Sequence, residues 1–147
     1  MKICLVCSHG GHLTEILQLM EAFEGHETFF ISYDSVRTRQ LERKYLLKNI
    51  IGKKPWRMAS AAFSIFKILY KERPNLIAST GAEPAIPAFY FAKLFRIKTI
   101  FIESWTRVVQ PTGTGRLVYP VSDVFLVQWE RLLTKYGKKA RYEGAIV

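Results

Sequence analysis

Two histidines bracket a pair of glycines near the start of the chain, in Ser8-His9-Gly10-Gly11-His12. Glycine lets backbone amides approach an anion without side-chain obstruction, and an imidazole can donate to a phosphate or take a proton from an attacking hydroxyl. A diphosphate is the natural guest, with Ser8, Gly10 and Gly11 as binding residues and His12, at the entry of a helical pattern, as the catalytic candidate. The spacing is neither G-x-G-x-x-G nor a Gly-Lys-Ser/Thr phosphate loop, which speaks against a dinucleotide or a triphosphate. The alternative is that the glycines only close a tight strand-to-helix turn and His9 caps the strand. Two further polar clusters end apolar runs in the same way. Thr80-Gly81 would bring backbone close to a sugar or phosphate, or would form a compact turn. Glu103-Ser104-Trp105-Thr106-Arg107 delivers a carboxylate and then a cation: Glu103 as the alternative base, Ser104 beside it, and Arg107 for a phosphate. A structural Glu103 to Arg107 ion pair is the competing reading. Thr112 to Gly115 reads as a flexible turn, with Thr114 and Gly115 closing on a ligand as a lid or forming only a loop.

These clusters need elements that bring them to one edge. Apolar, β-rich runs recur at Lys2 to Cys7, Glu27 to Ser32, Lys48 to Ile51, Leu76 to Ser79, Thr99 to Glu103 and Val124 to Val127. Helical patterns lie between them at Leu13 to Phe23, Met58 to Arg73 and Pro84 to Phe95. That rhythm predicts parallel strands with crossover helices, a sheet buried on both faces and strands that read as continuous apolar runs. Ligands of such sheets bind at the carboxyl ends of the strands, where all three polar clusters fall. Cys4 and Cys7 lie inside the first run, where a period of two puts them on opposite faces, so they are expected to be buried apolar thiols and not a metal or redox pair.

The chain has 147 residues, 49% of them hydrophobic and 14% aromatic, which suits one compact domain and excludes a disordered class. The apolar stretch Met58 to Leu69 is shorter than the ~20 residues of a spanning helix, and the start lacks the pattern of a secretory leader, so a cytosolic chain without a transmembrane segment is expected. The net charge of +10 is uneven: residues 37–57 hold eight basic residues and one acid, Glu42, and so carry +7. Such a stretch seeks phosphates of a nucleic acid, an anionic lipid surface or a substrate. It runs into an apolar helix that opens at Lys53, Lys54, Trp56 and Arg57, a composition suited to an ordinary crossover helix or to the interfacial layer of a membrane.

The ordered set Ser8-His9-Gly10-Gly11-His12-Leu13, Ser79-Thr80-Gly81, Glu103-Ser104-Trp105-Thr106-Arg107-Val108, Thr114-Gly115-Arg116-Leu117 with Tyr119-Pro120, and Val127-Gln128-Trp129 resembles the asparagine-linked glycosylation fourteen-like family of oligosaccharide biosynthesis. That family includes bacterial exopolysaccharide and capsule subunits of the PssD type. A more distant likeness, in the Gly-Gly-His turn, is to the lipid-linked muropeptide glycosyltransferase. The resemblance implies an α/β, Rossmann-like parallel sheet with helices on both faces, like the N-terminal half of a GT-B glycosyltransferase, with residues 1–147 as one acceptor-side domain. It implies a peripheral subunit at the cytoplasmic face of a membrane that holds a lipid-diphosphate-sugar acceptor. A separate donor-binding subunit, resembling the C-terminal GT-B half, would supply most of the nucleotide-sugar site. The reaction implied is inverting transfer of a sugar, N-acetylglucosamine among the candidates, without metal or other cofactor. Many eukaryotic members begin with a membrane-spanning helix, whereas this chain begins at its first strand, which leaves attachment to Lys53, Lys54, Trp56 and Arg57. Two other classes compete: a basic nucleic-acid-binding module, for which no RRM, KH or helix-turn-helix signature is present, and a structural anchor that only recruits the catalytic partner.

Overall fold

The computed structural model describes residues 1–48 and 54–146. Within them seven strands form one all-parallel sheet: β1 (Lys2–Val6), β2 (Glu27–Tyr33), β3 (Lys44–Leu47), β4 (Leu76–Ser79), β5 (Lys98–Ile102), β6 (Val124–Val127) and β7 (Ala140–Tyr142), in the order β3-β2-β1-β4-β5-β6-β7. The chain steps outward from β1 in one direction and from β4 in the other. The order therefore reverses between two neighbours, whose last residues pair as Val6 with Ser79. A crevice opens at such a reversal because the flanking connections diverge to opposite faces.

The helices are α1 (Gly11–Leu17), α2 (Pro55–Glu72), α3 (Ala85–Phe95), α4 (Gly113–Val118) and α5 (Leu133–Tyr136). Leu13 and Ile16 of α1 pack on Ile3, Leu5, Cys7, Phe30 and Ala78 on one face. On the other face Ile65 and Leu69 of α2, Phe89 of α3 and Val118 of α4 pack on Val6, Ile31, Ile77, Phe101 and Phe125. Cys4 belongs to this second cluster and Cys7 to the first, so the two thiols do lie on opposite faces, and burial pushes both up in pKa, Cys7 to about 12. Pro55 opens α2 with its ring-fixed φ, and Arg73, left-handed at φ 45°, ends it. Among the described residues no helix is long and apolar enough to cross a membrane.

Three expectations change. The third strand is Lys44–Leu47 and not Lys48 to Ile51: β3 pairs with β2 from Phe30/Lys44 to Tyr33/Leu47, and the ring of Tyr45 packs edge-on against Phe29. Lys48 lies beyond the strand, and 49–51 lie outside the described residues, as does Lys53. The first helical pattern breaks at Leu17, where Gln18 N–H is shared between the carbonyls of Thr14 and Glu15 and the chain tightens into a 3-10 turn over Met20–Phe23. The stretch read as a flexible turn at 112–115 is the start of α4, with Thr112 as its cap through Gly115 N–H to Thr112 Oγ1 at 2.9 Å.

Candidate functional site

The Ser8 to His12 turn leaves β1 and the Thr80-Gly81 turn leaves β4, so both stand at the reversal of strand order. They are locked together. The hydroxyl of Thr80 donates to the carbonyl of His12 at 2.6 Å, and the ring of His12 lies against Gly81 so closely that a Cβ there would stand 2.8 Å from its Cε1. Gly81 also holds φ +127°, which side chains rarely adopt, so it is required twice over. Gly10 and Gly11 differ: a Cβ on either would meet nothing within 4 Å. Their bare backbone faces open space, as a ligand-approaching turn requires. Nδ1 of His12 is buried and has no partner among the described residues, and the same holds for Nδ1 of His9, whose ring sits edge-on to Tyr33.

Beside the turn lies a cavity of about 190 Å³ lined by Gly11, His12, Glu15, Ser104, Trp105 and Arg107, among others. Its floor is a carboxylate that sequence reasoning did not single out. Glu15 is 3% exposed and accepts from Ser104 Oγ at 2.8 Å and Gln128 Nε2 at 3.1 Å. Burial raises its pKa, against the opposing pull of Ser104, His12 and Gln128. One signal was available: Glu15 is three residues from His12 and interrupts the apolar seam of Leu13 and Ile16, so it shares a helix face with the histidine and points inward.

Glu103 takes a different place from the one expected. It is 1% exposed, and its oxygens accept from Ser104 N–H at 3.0 Å, from Thr112 N–H at 3.0 Å, from the Thr112 hydroxyl at 2.9 Å and from the Tyr136 hydroxyl. A carboxylate so enclosed has no free lone pair facing a ligand, which speaks against it as a base; it ties β5 to the cap of α4 and to α5. Burial, and then the hydrogen bond to Glu103 and its charge, push the Tyr136 phenol well above its ordinary range. Gly115 is buried in this knot, where a Cβ would stand 2.6 Å from Glu103 Oε2, so Gly115 is packing, and the lid reading of Thr114-Gly115 gives way to a helix. Ser104 is buried as a hydrogen-bonded link between Glu15 and Thr106. Arg107 is exposed at the cavity rim, and the Glu103 to Arg107 ion pair is not formed. Trp105 is half exposed beside it, with its carbonyl held by Trp129 Nε1 at 2.6 Å.

Among the described residues the basic stretch does not form one patch, because β3 carries it across the depth of the sheet. Arg39 is clamped by both oxygens of Asp34 at 2.7 and 2.9 Å, and Arg43 pairs with Glu27 and Glu72 where β1 and β2 begin. Arg37 instead reaches the glycine turn, donating to Gly10 O at 3.4 Å and Thr14 Oγ1 at 3.1 Å. Its loop is fixed by Thr38, whose hydroxyl donates to Tyr33 O at 2.6 Å and accepts from Ser35 N–H at 2.8 Å. Lys54 lies over the ring of Trp56 at 5.2 Å at the head of α2, with Trp56 64% exposed and Arg57 exposed beside it.

Comparison with known proteins agrees with this architecture. The chain is 35% identical over 92 residues to the UDP-N-acetylglucosamine transferase subunit ALG14 of Debaryomyces hansenii, covering 57% of this chain and 39% of that protein. It is 25% identical over 181 residues to the ALG14 subunit of Homo sapiens, covering 100% of this chain and 83% of that one. The UDP-N-acetylglucosamine--N-acetylmuramyl-(pentapeptide) pyrophosphoryl-undecaprenol N-acetylglucosamine transferase of Nitrosomonas europaea is 27% identical over 120 residues, which are 82% of this chain and 31% of that enzyme. The chain thus spans well under half of the first and third of these relatives. Acinetobacter baumannii MurG superposes with a TM-score of 0.77 at 17% identity, over 97% of this chain and 45% of that one, so the fold is a Rossmann-like half of a GT-B protein. The family model described as "Oligosaccharide biosynthesis protein Alg14 like" matches residues 34–146, and the chain belongs to that family.

Proposed function

We propose that this chain is the acceptor-side subunit of a two-subunit glycosyltransferase that transfers N-acetylglucosamine from its UDP-sugar to a sugar carried on a lipid diphosphate. The observation that carries the reading is the locked pair of turns at the strand reversal: bare glycine backbone, the His12 ring held against Gly81, and the cations Arg37 and Arg107 on either side. Backbone amides and two guanidiniums suit a diphosphate. The relatives suggest the sugar, the nucleotide and the subunit character, being UDP-N-acetylglucosamine transferase subunits, and the Nitrosomonas enzyme suggests a pyrophosphoryl lipid.

In this mechanism Ser8, Gly10, Gly11, Thr80 and Gly81 seat the diphosphate and its first sugar, with Arg37 and Arg107 balancing the charge. The acceptor hydroxyl attacks the anomeric carbon from the face opposite the nucleotide. The new C–O bond forms as the bond to the UDP oxygen breaks, and the hydroxyl proton passes to an imidazole nitrogen of His12. Glu15, on the floor of the cavity beside that ring, is held in place by Ser104 and Gln128. Glu103 and Ser104 act through others, by holding the loop that carries Arg107. A donor-binding subunit completes the nucleotide site. Lys54, Trp56 and Arg57 place the edge bearing the site against an anionic membrane from its cytoplasmic face, where basic groups contribute ~1 kcal/mol each.

Transfer to a lipid-diphosphate-sugar acceptor, measured for this chain alone and together with its partner, tests the reading. Only the pair should be active, and His12→Ala should lower its rate by roughly 10²- to 10⁴-fold. Efficient transfer by the chain alone, or a His12→Ala pair at the wild-type rate, refutes it.

A further inference from the structure

Between the first turns of α2 and α3, above the carboxyl ends of β2 and β3, runs a groove of about 430 Å³ whose described lining is almost wholly apolar. Alanines along α2, Ala62 among them, hollow it out; Met58, Ile65, Pro87 and Tyr90 form its walls. The Tyr33 phenol at its inner end is already partnered, donating to one oxygen of the Glu83 carboxylate at 2.8 Å, and Glu83 itself is exposed at the rim.

We infer that this groove holds the first isoprene units of the acceptor's lipid, an apolar chain borne on a diphosphate. The inference rests on the acceptor reading above and adds a site for the lipid to it. Three observations select this occupant. The inner end of the groove is Tyr33, whose ring meets His9 of the glycine turn at a centroid distance of 6.1 Å, so one layer of side chains separates the apolar groove from the anion site. Glu83 continues the same loop as Gly81, against which His12 rests. The outer end is half-exposed Met58 in the first turn of α2, the same turn whose head carries Lys54, Trp56 and Arg57, with Trp56 64% exposed. A molecule lying along this path must be anionic at one end and apolar beyond it. A free nucleotide or a water-soluble sugar phosphate would leave the groove empty, whereas a lipid diphosphate fills both parts.

The test uses two acceptors that share the diphosphate-sugar but carry an isoprenoid tail or a butyl tail. Burying methylenes contributes roughly fourfold in affinity for each group, so the paired subunits should prefer the isoprenoid acceptor by at least tenfold in kcat/KM. Ala62→Phe should fill the groove and remove that preference, raising KM for the isoprenoid acceptor about tenfold while leaving the butyl acceptor and binding to anionic vesicles unchanged. A variant that affects both acceptors equally, or neither, overturns the proposal while transfer itself still supports the acceptor reading. Should Ala62→Phe fail to fold, Ala62→Leu takes its place, and a photoactivatable prenyl alcohol without phosphate is crosslinked to the wild-type chain. Labelling within residues 58–65 or 83–90 supports the groove, and labelling elsewhere sinks it. That second arm reads the groove even if no acceptor is glycosylated, in which case the acceptor reading fails by itself. If the groove is instead filled by a second copy of the chain, the protein sediments as a dimer and prenyl alcohol does not dissociate it.

Discussion

Replacing Gly81 by alanine should injure the protein in two separable ways, and replacing Gly11 should injure it in only one. At Gly81 the backbone sits at φ +127°, and the new methyl would stand 2.8 Å from His12 Cε1 and 3.0 Å from its Nδ1. The backbone conformation alone costs about 1–3 kcal/mol, which for a chain of this size lowers Tm by roughly 3–10 °C. The overlap adds less to stability, because the half-buried His12 ring can swing away from the methyl; what it removes is the placement of the ring. Gly81→Ala should therefore unfold earlier and, when folded, show a displaced His12 imidazole resonance and a rate as low as that of His12→Ala. At Gly11, the first residue of α1, a methyl meets nothing within 4 Å, and alanine is the better helix former by up to ~1 kcal/mol. Gly11→Ala should be as stable as wild type or slightly more so, yet bind diphosphate at least tenfold more weakly, because the methyl occupies the space the ligand needs. Thermal unfolding, imidazole NMR and diphosphate titration read the three quantities. A Gly81→Ala protein with unchanged Tm and an unmoved His12 resonance would refute the account of the locked turns, and an unaltered diphosphate affinity in Gly11→Ala would refute the account of the bare backbone.

Glu103→Gln removes an acceptor oxygen from a buried knot and should cost at least about 2 kcal/mol, with hydrogen exchange rising over Gly113–Val118; unchanged protection there would mean that Glu103 does not hold α4. Glu15, whose pKa burial raises, binds its proton more tightly in the folded chain than in the unfolded one. Its contribution is therefore most favourable below the unfolded carboxylate pKa and is lost as pH rises through the raised folded value, so the difference in unfolding free energy between wild type and Glu15→Gln should change with pH in that window and be flat above it; a difference constant from pH ~4 upward counts against the raised pKa. Replacing Lys54 and Arg57 together by Gln should weaken binding to anionic vesicles and make what remains insensitive to salt, whereas Trp56→Ala should weaken it at all salt concentrations; sedimentation of both variants like wild type would remove this edge as the attachment site.

The parallel sheet was legible because its signals are local. Continuous apolar runs such as Ile3 to Cys7 and Ile100 to Ile102, with helical spacing between them, recur within windows of a dozen residues. The position of His12 and the glycines after the first strand follows from the same local reading. The short edge elements β7 and α5 gave too few residues for a period to register, and the third strand was placed too late because 48–51 reads as apolar as Lys44–Leu47 does. What the tertiary structure alone decided is which polar residues are free to act. Glu15 and Glu103 look equally available in the sequence, but Glu15 lies under the cavity while Glu103 is consumed by Thr112 and Tyr136. Gly11 and Gly81 look equally like turn residues, but only the second is pressed by a ring from another strand's loop. The stretch from Arg37 to Arg57 looks like one cationic patch, but β3 turns it across the sheet and gives Arg39 and Arg43 to Asp34, Glu27 and Glu72. Burial, charge pairing and close approach are set by residues far apart in the chain, as Gln128 and Glu15 are at 113 positions, and no local pattern encodes such a distance.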